Sequence, residues 1–228
     1  MKNIYLLLTL VGVMLTSTLS DASAQRTPSY TINDHEYCDQ HLTINVTQPC
    51  AHQDTTAPYK VGDYYNENGK QGVVFEVSDG GRHGKIVSLD ETKTRWDSRV
   101  DWDGYEFING TKTGANDMSN GKVNTDKVMQ RGDSDQYLAF VWCRNKGADW
   151  YLPAINELMT IYNNKSAINS TLAEYGAQLG NGLYWSSMEF EYDHVDPELF
   201  AWCVIMRNGY TYENTKNSYH YVRAVSAF

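Results

Sequence analysis

Hydrophobic and polar positions divide the chain into three regimes. Ile4 to Leu15 is mainly apolar and follows a lone basic residue, Lys2. That run is too short to span a bilayer comfortably, and Ala22-Ser23-Ala24 behind it has the small-residue spacing of a cleavage site. The pattern predicts a signal peptide over residues 1–24, a mature start at Gln25 and an exported protein. Residues 25–57 are polar, with no sustained period, and read as a linker or a disulfide-pinned arm. From Tyr59 onward patterned segments follow one another, so residues 58–228 are expected to form one domain.

Within that domain the period changes twice. Gly72 to Val77 and Lys85 to Leu89 are β-branched runs around Ser78-Asp79-Gly80-Gly81, which predicts a hairpin with a longer connection. Residues 97–120 are loop-like. Asn124 to Arg131 and Gln136 to Asn145 then read as short helices, the second turning Leu138, Ala139, Val141 and Trp142 inward. Pro153 at a first helical turn precedes Ile155, Leu158, Met159 and Tyr162 at helical spacing. Ser166 is placed to cap another helix that Gly176 ends. Strands return over Leu183 to Ser187, Phe200 to Met206 and Tyr219 to Phe228, with a tight turn at Arg207-Asn208-Gly209. Alternate spacing puts the rings of Tyr210 and Tyr212 on one face of a strand. Strands, then helices, then strands is an α+β arrangement.

Charge and chemistry narrow the function. The formal net charge of −9 argues against nucleic-acid or anionic-membrane partners. The aromatic content, with 17 Tyr and 6 Trp, suits surfaces that face sugars or proteins, and it also suits ordinary cores. In an oxidising compartment the four cysteines suggest Cys38–Cys50 as a local bridge. Cys143 and Cys203 would then join two segments of the C-terminal half or, each following a Trp, stand as reduced core residues. No Cys/His spacing suggests zinc, and no cofactor is implied. Glu189 to Glu198 is read as a solvated acidic loop rather than a calcium site. Arg131-Gly132-Asp133, an adhesion-type tripeptide, is read as coincidence. His35, His41 and His52 lie in the arm and His83 in a Gly-rich turn, none with a nucleophile at motif spacing, so no enzyme is expected.

Four motifs carry a resemblance. Trp150-Tyr151-Leu152-Pro153-Ala154-Ile155-Asn156-Glu157-Leu158, Tyr184-Trp185-Ser186-Ser187, Ala201-Trp202 and Tyr221-Val222-Arg223-Ala224-Val225 together resemble the DUF1566 family, related to the C-terminal domain of the Legionella collagen-like adhesin. Tyr59 to Asp63 and Gly84 to Leu89 look like the leading half of the same module in gut Bacteroidetes proteins. The resemblance implies a C-type-lectin-like fold, shared with formylglycine-generating enzymes and with the receptor-binding targets of diversity-generating retroelements. It also implies a frame of Trp150, Trp185, Trp202 and Arg223; because Arg223 lies among apolar neighbours, its guanidinium would need a carboxylate, and Glu157 is the expected partner. Between the frame residues lie Tyr192, Asp193, His194, Asn208, Tyr210, Tyr212, Asn214, Asn217, Tyr219 and His220, a mixture that adenine substitution in Asn codons would leave. These ten are the candidate ligand-binding residues, for an unknown extracellular protein or glycan. A sulfated polysaccharide is disfavoured, because carboxylates outnumber cations six to three between residues 184 and 228.

Overall fold

The apolar runs of the domain are strands buried on both faces, which is why they read as unbroken hydrophobic segments rather than as an alternation. The computed structural model describes residues 29–32, 35–38, 58–191 and 197–228. Residues 1–57 and 58–228 form two units. In the first, β1 (Ser29–Ile32) and β2 (His35–Cys38) pair antiparallel, so the segment read as an arm contains a short hairpin. The signal peptide over 1–24 and the Cys38–Cys50 bridge lie outside the described residues.

The second unit opens with β3 (Tyr64–Glu67), β4 (Lys70–Ser78), β5 (His83–Val87) and β6 (Thr92–Thr94), followed by a small ribbon of β7 (Asp101–Trp102) and β8 (Phe107–Ile108). Four helices follow: α1 (Gly121–Met129), α2 (Leu138–Arg144), α3 (Ile155–Asn163) and α4 (Lys165–Glu174). The chain closes with β9 (Leu183–Glu189), β10 (Phe200–Ile205), β11 (Tyr210–Thr215), β12 (His220–Val222) and β13 (Val225–Ala227). One sheet has the order β11-β10-β9-β12-β6, antiparallel except for the parallel β9/β12 pair. The other has the order β13-β5-β4-β3 and is antiparallel throughout. The architecture is α+β.

Two hydrophobic clusters lie on opposite faces of these strands. Trp185, Val74, Ile86, Val222 and Ala224 turn into the cluster that holds Trp96, Phe140 and Trp150. Their chain neighbours Tyr184, Val73, Phe75, Val87 and Val225 turn into the cluster that Leu158, Ile161, Ile168 and Leu172 bring from α3 and α4. Helix α3 begins at Ile155, two residues after Pro153. Ala154 offers no side-chain acceptor, so only the Glu157 half of a capping box operates, its carboxylate accepting from Ala154 N at 2.8 Å. The helix from Ser166 to Tyr175 is present as α4, but its cap position is Asn164, which makes no side-chain cap. The closing strand splits into β12 and β13. Among the described residues no helix is long and apolar enough to cross a membrane.

Two pairings expected from the sequence are corrected. Cys143 on α2 and Cys203 on β10 are both free and fully buried, acting as small apolar pieces of one cluster. Burial pushes the Cys203 thiol up to about 12 and the Cys143 thiol higher still, so neither is a reactive thiolate. Glu157 and Arg223 are both buried but do not meet. Arg223 donates to Glu91 at 2.9 Å, to the Ser88 and Leu89 carbonyls at 2.7 and 2.8 Å, and to Gln178 O at 2.8 Å. Glu157 instead takes Lys85 at 3.0 Å, Tyr151 Oη at 2.9 Å and the amides of Ala154 and Gly121. Each charge found its partner across the fold rather than along the motif.

Removing one member of such a buried cluster leaves the others desolvated and unpaired. Arg223→Met is therefore expected to cost about 3 kcal/mol in urea unfolding. A double-mutant cycle with Glu91→Gln should return coupling above about 1 kcal/mol, and one with Glu157→Gln less than about 0.5 kcal/mol. Strong Glu157–Arg223 coupling would contradict the arrangement.

Candidate functional site

The exposed aromatic surface begins at the β10–β11 turn. Asn208 N and Gly209 N both donate to Ile205 O, at 3.2 and 2.8 Å, closing the turn expected at Arg207-Asn208-Gly209. Gly209 has φ +75°, and a Cβ there would lie 2.4 Å from the Tyr162 ring, so only glycine fits. Asn208 Oδ1 then accepts from Tyr210 N at 3.2 Å, starting β11 in register.

Among the described residues strand β11 pairs only with β10 and forms one edge of its sheet. Tyr210 stands opposite Ile205, which stands opposite Leu183; Tyr212 stands opposite Cys203, which stands opposite Trp185. Period-two alternation therefore puts Tyr210, Tyr212, Ile205, Leu183 and Trp185 on one face. Tyr210 is 70% and Tyr212 49% exposed, while Cys203 and Trp185 are sealed. Ile205 and Leu183 are half-buried between the two tyrosines and the far strands. In the parallel pairing Tyr221 sits beside Tyr184, so its neighbour His220 falls on the Trp185 face, the rings 4.5 Å apart.

The frame behind this face is held by indole hydrogen bonds. Trp185 Nε1 donates to Thr94 O at 3.1 Å, and Trp96 Nε1 donates to Ser186 O at 2.9 Å, so two tryptophans tie the β6 segment to β9. Trp150 is buried in the same cluster, and Trp202 lies on the opposite face, edge-on to Phe190 at 4.7 Å.

The expected site residues are only partly brought together. Asn208, Tyr210 and Tyr212 share the hairpin. Asn214 lies on the same strand, but its side-chain oxygen accepts from Thr215 N at 2.8 Å and from Ser218 Oγ at 3.0 Å, so it closes the next turn. Asn217 is half-buried in that turn. Tyr219, 57% exposed, lies beyond β12, three strand spacings (roughly 14 Å) from β11. Its ring stacks under the Arg95 guanidinium at 5.3 Å. Tyr192, Asp193 and His194 lie outside the described residues.

The acidic stretch also needs correction. Glu189 is the buried end of β9 rather than part of a solvated loop, and it pairs at 2.6 Å with the fully buried Lys216. Glu189, Lys216 and the half-buried Ile205 and Leu183 shape this surface, and sequence reasoning missed them. Lys216 follows a polar strand with no apolar signal, and Glu189 stands among other carboxylates. At Arg131-Gly132-Asp133 the carboxylate is held by Arg131 and Arg99, so this tripeptide is internally paired.

An α+β domain whose edge strand displays tyrosines over a tryptophan-tied sheet is the class these observations define. The sequence profile of the Lcl C-terminal domain matches residues 86–226, and the chain belongs to that family. No curated protein matches the chain.

His220 provides a test of the face. Its Nε2 is buried without a hydrogen-bond partner among the described residues, and burial pushes its pKa from 6.5 down to about 4. Between those values the unfolded chain holds a proton that the folded chain does not, so stability is lost as pH falls through that window. Lowering the pH from 7 to 4.5 should cost about 2 kcal/mol more in the parent than in His220→Gln, read from urea midpoints. Parallel pH profiles would contradict the buried neutral imidazole.

Proposed function

We propose that this protein is an exported, non-catalytic binding module with a C-type-lectin-like fold. Its recognition surface is the face carrying Tyr210 and Tyr212, continued by Ile205, Leu183 and His220. The observation that carries the reading is a contrast within one strand pair: Tyr212 is half exposed while Cys203, directly opposite it, is completely sealed. A large amphipathic ring mounted on a rigid strand contributes contact area at low entropic cost, whether the ligand is a glycan or a protein. Asn208, Tyr210 and Tyr212 are exposed around the buried Gly209, an arrangement in which codon diversification would alter the surface without disturbing the core. A non-catalytic role is consistent with the buried ionisable groups: Glu157, Glu189, Lys216 and Arg223 all bond one another, other side chains or the backbone.

The open edge of β11 favours one competing reading, in which the same face joins copies of the chain in a structural assembly. The double variant Tyr210→Ala/Tyr212→Ala separates the two. Both side chains are solvent-facing, so its unfolding free energy should fall by less than about 1 kcal/mol. On a glycan and extracellular-protein array it should lose at least tenfold in retention while its gel-filtration elution is unchanged. Loss of an oligomer instead would establish the assembly reading, and undiminished retention would remove the surface from consideration. A near-copy of the last coding segment beside a reverse-transcriptase gene would establish diversification.

A further inference from the structure

A depression in the surface lies on the other side of the same sheet. Where α3 ends, α4 begins and β10 turns toward β11, there is a shallow, open cleft of about 470 Å³. Two cations line it in a chain of net charge −9, and no carboxylate does. Lys165 directs its ammonium to three uncharged oxygens, Gly180 O at 2.7 Å, Asn181 Oδ1 at 2.8 Å and Met206 O at 2.9 Å. Burial draws its pKa below the usual lysine range, and no neighbouring acid opposes that pull. Arg207, on the rim, makes no hydrogen bond or ion pair with any described residue.

The remaining lining is polar and in part unpartnered. Ser166 and Asn163 keep their side-chain hydroxyl and amide free of described partners, whereas Asn169 uses both ends of its amide on Leu179. Tyr162 forms one wall, its position fixed by the close approach of Gly209. Uncompensated positive charge favours an anion, and a free guanidinium offers the two-pronged geometry that matches a carboxylate. The hydroxyl, the amide and the aromatic wall are the groups that hold a sugar ring.

We infer that this cleft binds a carboxylate-bearing ligand of monosaccharide size, of the hexuronic acid class. Arg207 takes the carboxylate, Ser166 and Asn163 take ring hydroxyls, and Tyr162 lies against the ring. Lys165 is a positioning residue that holds the floor at Met206 and supplies fixed positive charge. The site does not depend on the reading of Tyr210 and Tyr212, because it opens on the α3–α4 side of the sheet.

The test is titration of the full chain with D-glucuronate and, separately, with D-glucose, followed by backbone amide chemical shifts. Glucuronate should move the amides of residues 163–166, 206 and 207, with an affinity that falls as salt rises, and glucose should move none of them. Arg207→Ala should weaken glucuronate binding at least tenfold without altering the unfolding midpoint. Ser166→Ala should weaken it several-fold. The Tyr210→Ala/Tyr212→Ala variant should bind glucuronate like the parent, so the two surfaces fail or succeed separately. Equal shifts from glucose, or undiminished binding in Arg207→Ala, would overturn the assignment.

Discussion

The ion pair between Glu189 and Lys216 holds the exposed edge of this protein in place. Moving an ammonium and a carboxylate out of water costs several kcal/mol for each ion, and their attraction offsets this only when the remaining donors and acceptors are also satisfied. Here they are. Lys216 donates to Glu189 at 2.6 Å, to Pro197 O at 2.8 Å and to Thr111 O at 3.3 Å, and its ammonium lies 4.5 Å from the centre of the Trp96 ring. Glu189 accepts from the amides of Thr113 and Gly114. Burial draws the Lys216 pKa down, and the charge of Glu189 works against that pull. The backbone of Lys216 joins in as well, its carbonyl accepting from Trp96 N and Asp97 N. One residue therefore ties the far end of β11 to β9, to the loop before β10 and to the segment that carries Trp96. A strand with a single neighbour frays unless something fixes its ends. With this end clamped and Gly209 seated on Tyr162 at the other, β11 can hold Tyr210 and Tyr212 out in water.

The other buried charges follow the same logic. Much of the domain consists of connections whose amides and carbonyls no ladder reaches, and a buried backbone polar group must still find a partner. Arg223 satisfies the carbonyls of Ser88, Leu89 and Gln178; Glu157 satisfies the amides of Gly121 and Ala154; Glu189 satisfies Thr113 and Gly114. Each charge is a clamp on a loop, with an ion pair closing its remaining capacity. An apolar replacement of similar volume would fill the space and leave those peptide groups unsatisfied. Sequence segments without regular structure thereby become rigid enough to carry side chains at fixed positions.

This explains which parts of the protein were legible in its sequence. Strands and helices announced themselves through local periods: Gly72 to Val77, Leu158 and its helical partners, and the paired tyrosines of β11 all lie where their spacing places them. Turn chemistry was equally local, and Arg207-Asn208-Gly209 turns as read. Charge partners are not local. Arg223 reached Glu91 rather than Glu157, because only the assembled topology decides which carboxylate comes near a given guanidinium. Lys216 was invisible for the same reason, a lysine between Thr215 and Asn217 having the appearance of a solvated turn. Cys143 and Cys203 were ambiguous because a tryptophan before a cysteine marks burial without specifying oxidation. Tyr219 shares its chemistry with Tyr210 but adjoins β12, three strands away across the sheet, a separation that alternation along one strand cannot express.

The β10–β11 turn links the two surfaces of this domain. Its front leads into Tyr210, and its back, through Met206 and Arg207, borders the cleft floored by Lys165. The turn is gripped from behind by the Lys165–Met206 hydrogen bond and by the Gly209–Tyr162 contact, so its geometry is set before any ligand arrives. Preorganisation of this kind lowers the ordering cost of binding, and it leaves exposed side chains free to vary in chemistry while their backbone stays fixed. On the binding function proposed above, substitution at Tyr210 or Tyr212 would change what the face recognises, whereas any side chain at Gly209 would displace Tyr162 and disturb both surfaces together. The contacts that fix this turn therefore lie on the face of the sheet that its tyrosines do not occupy.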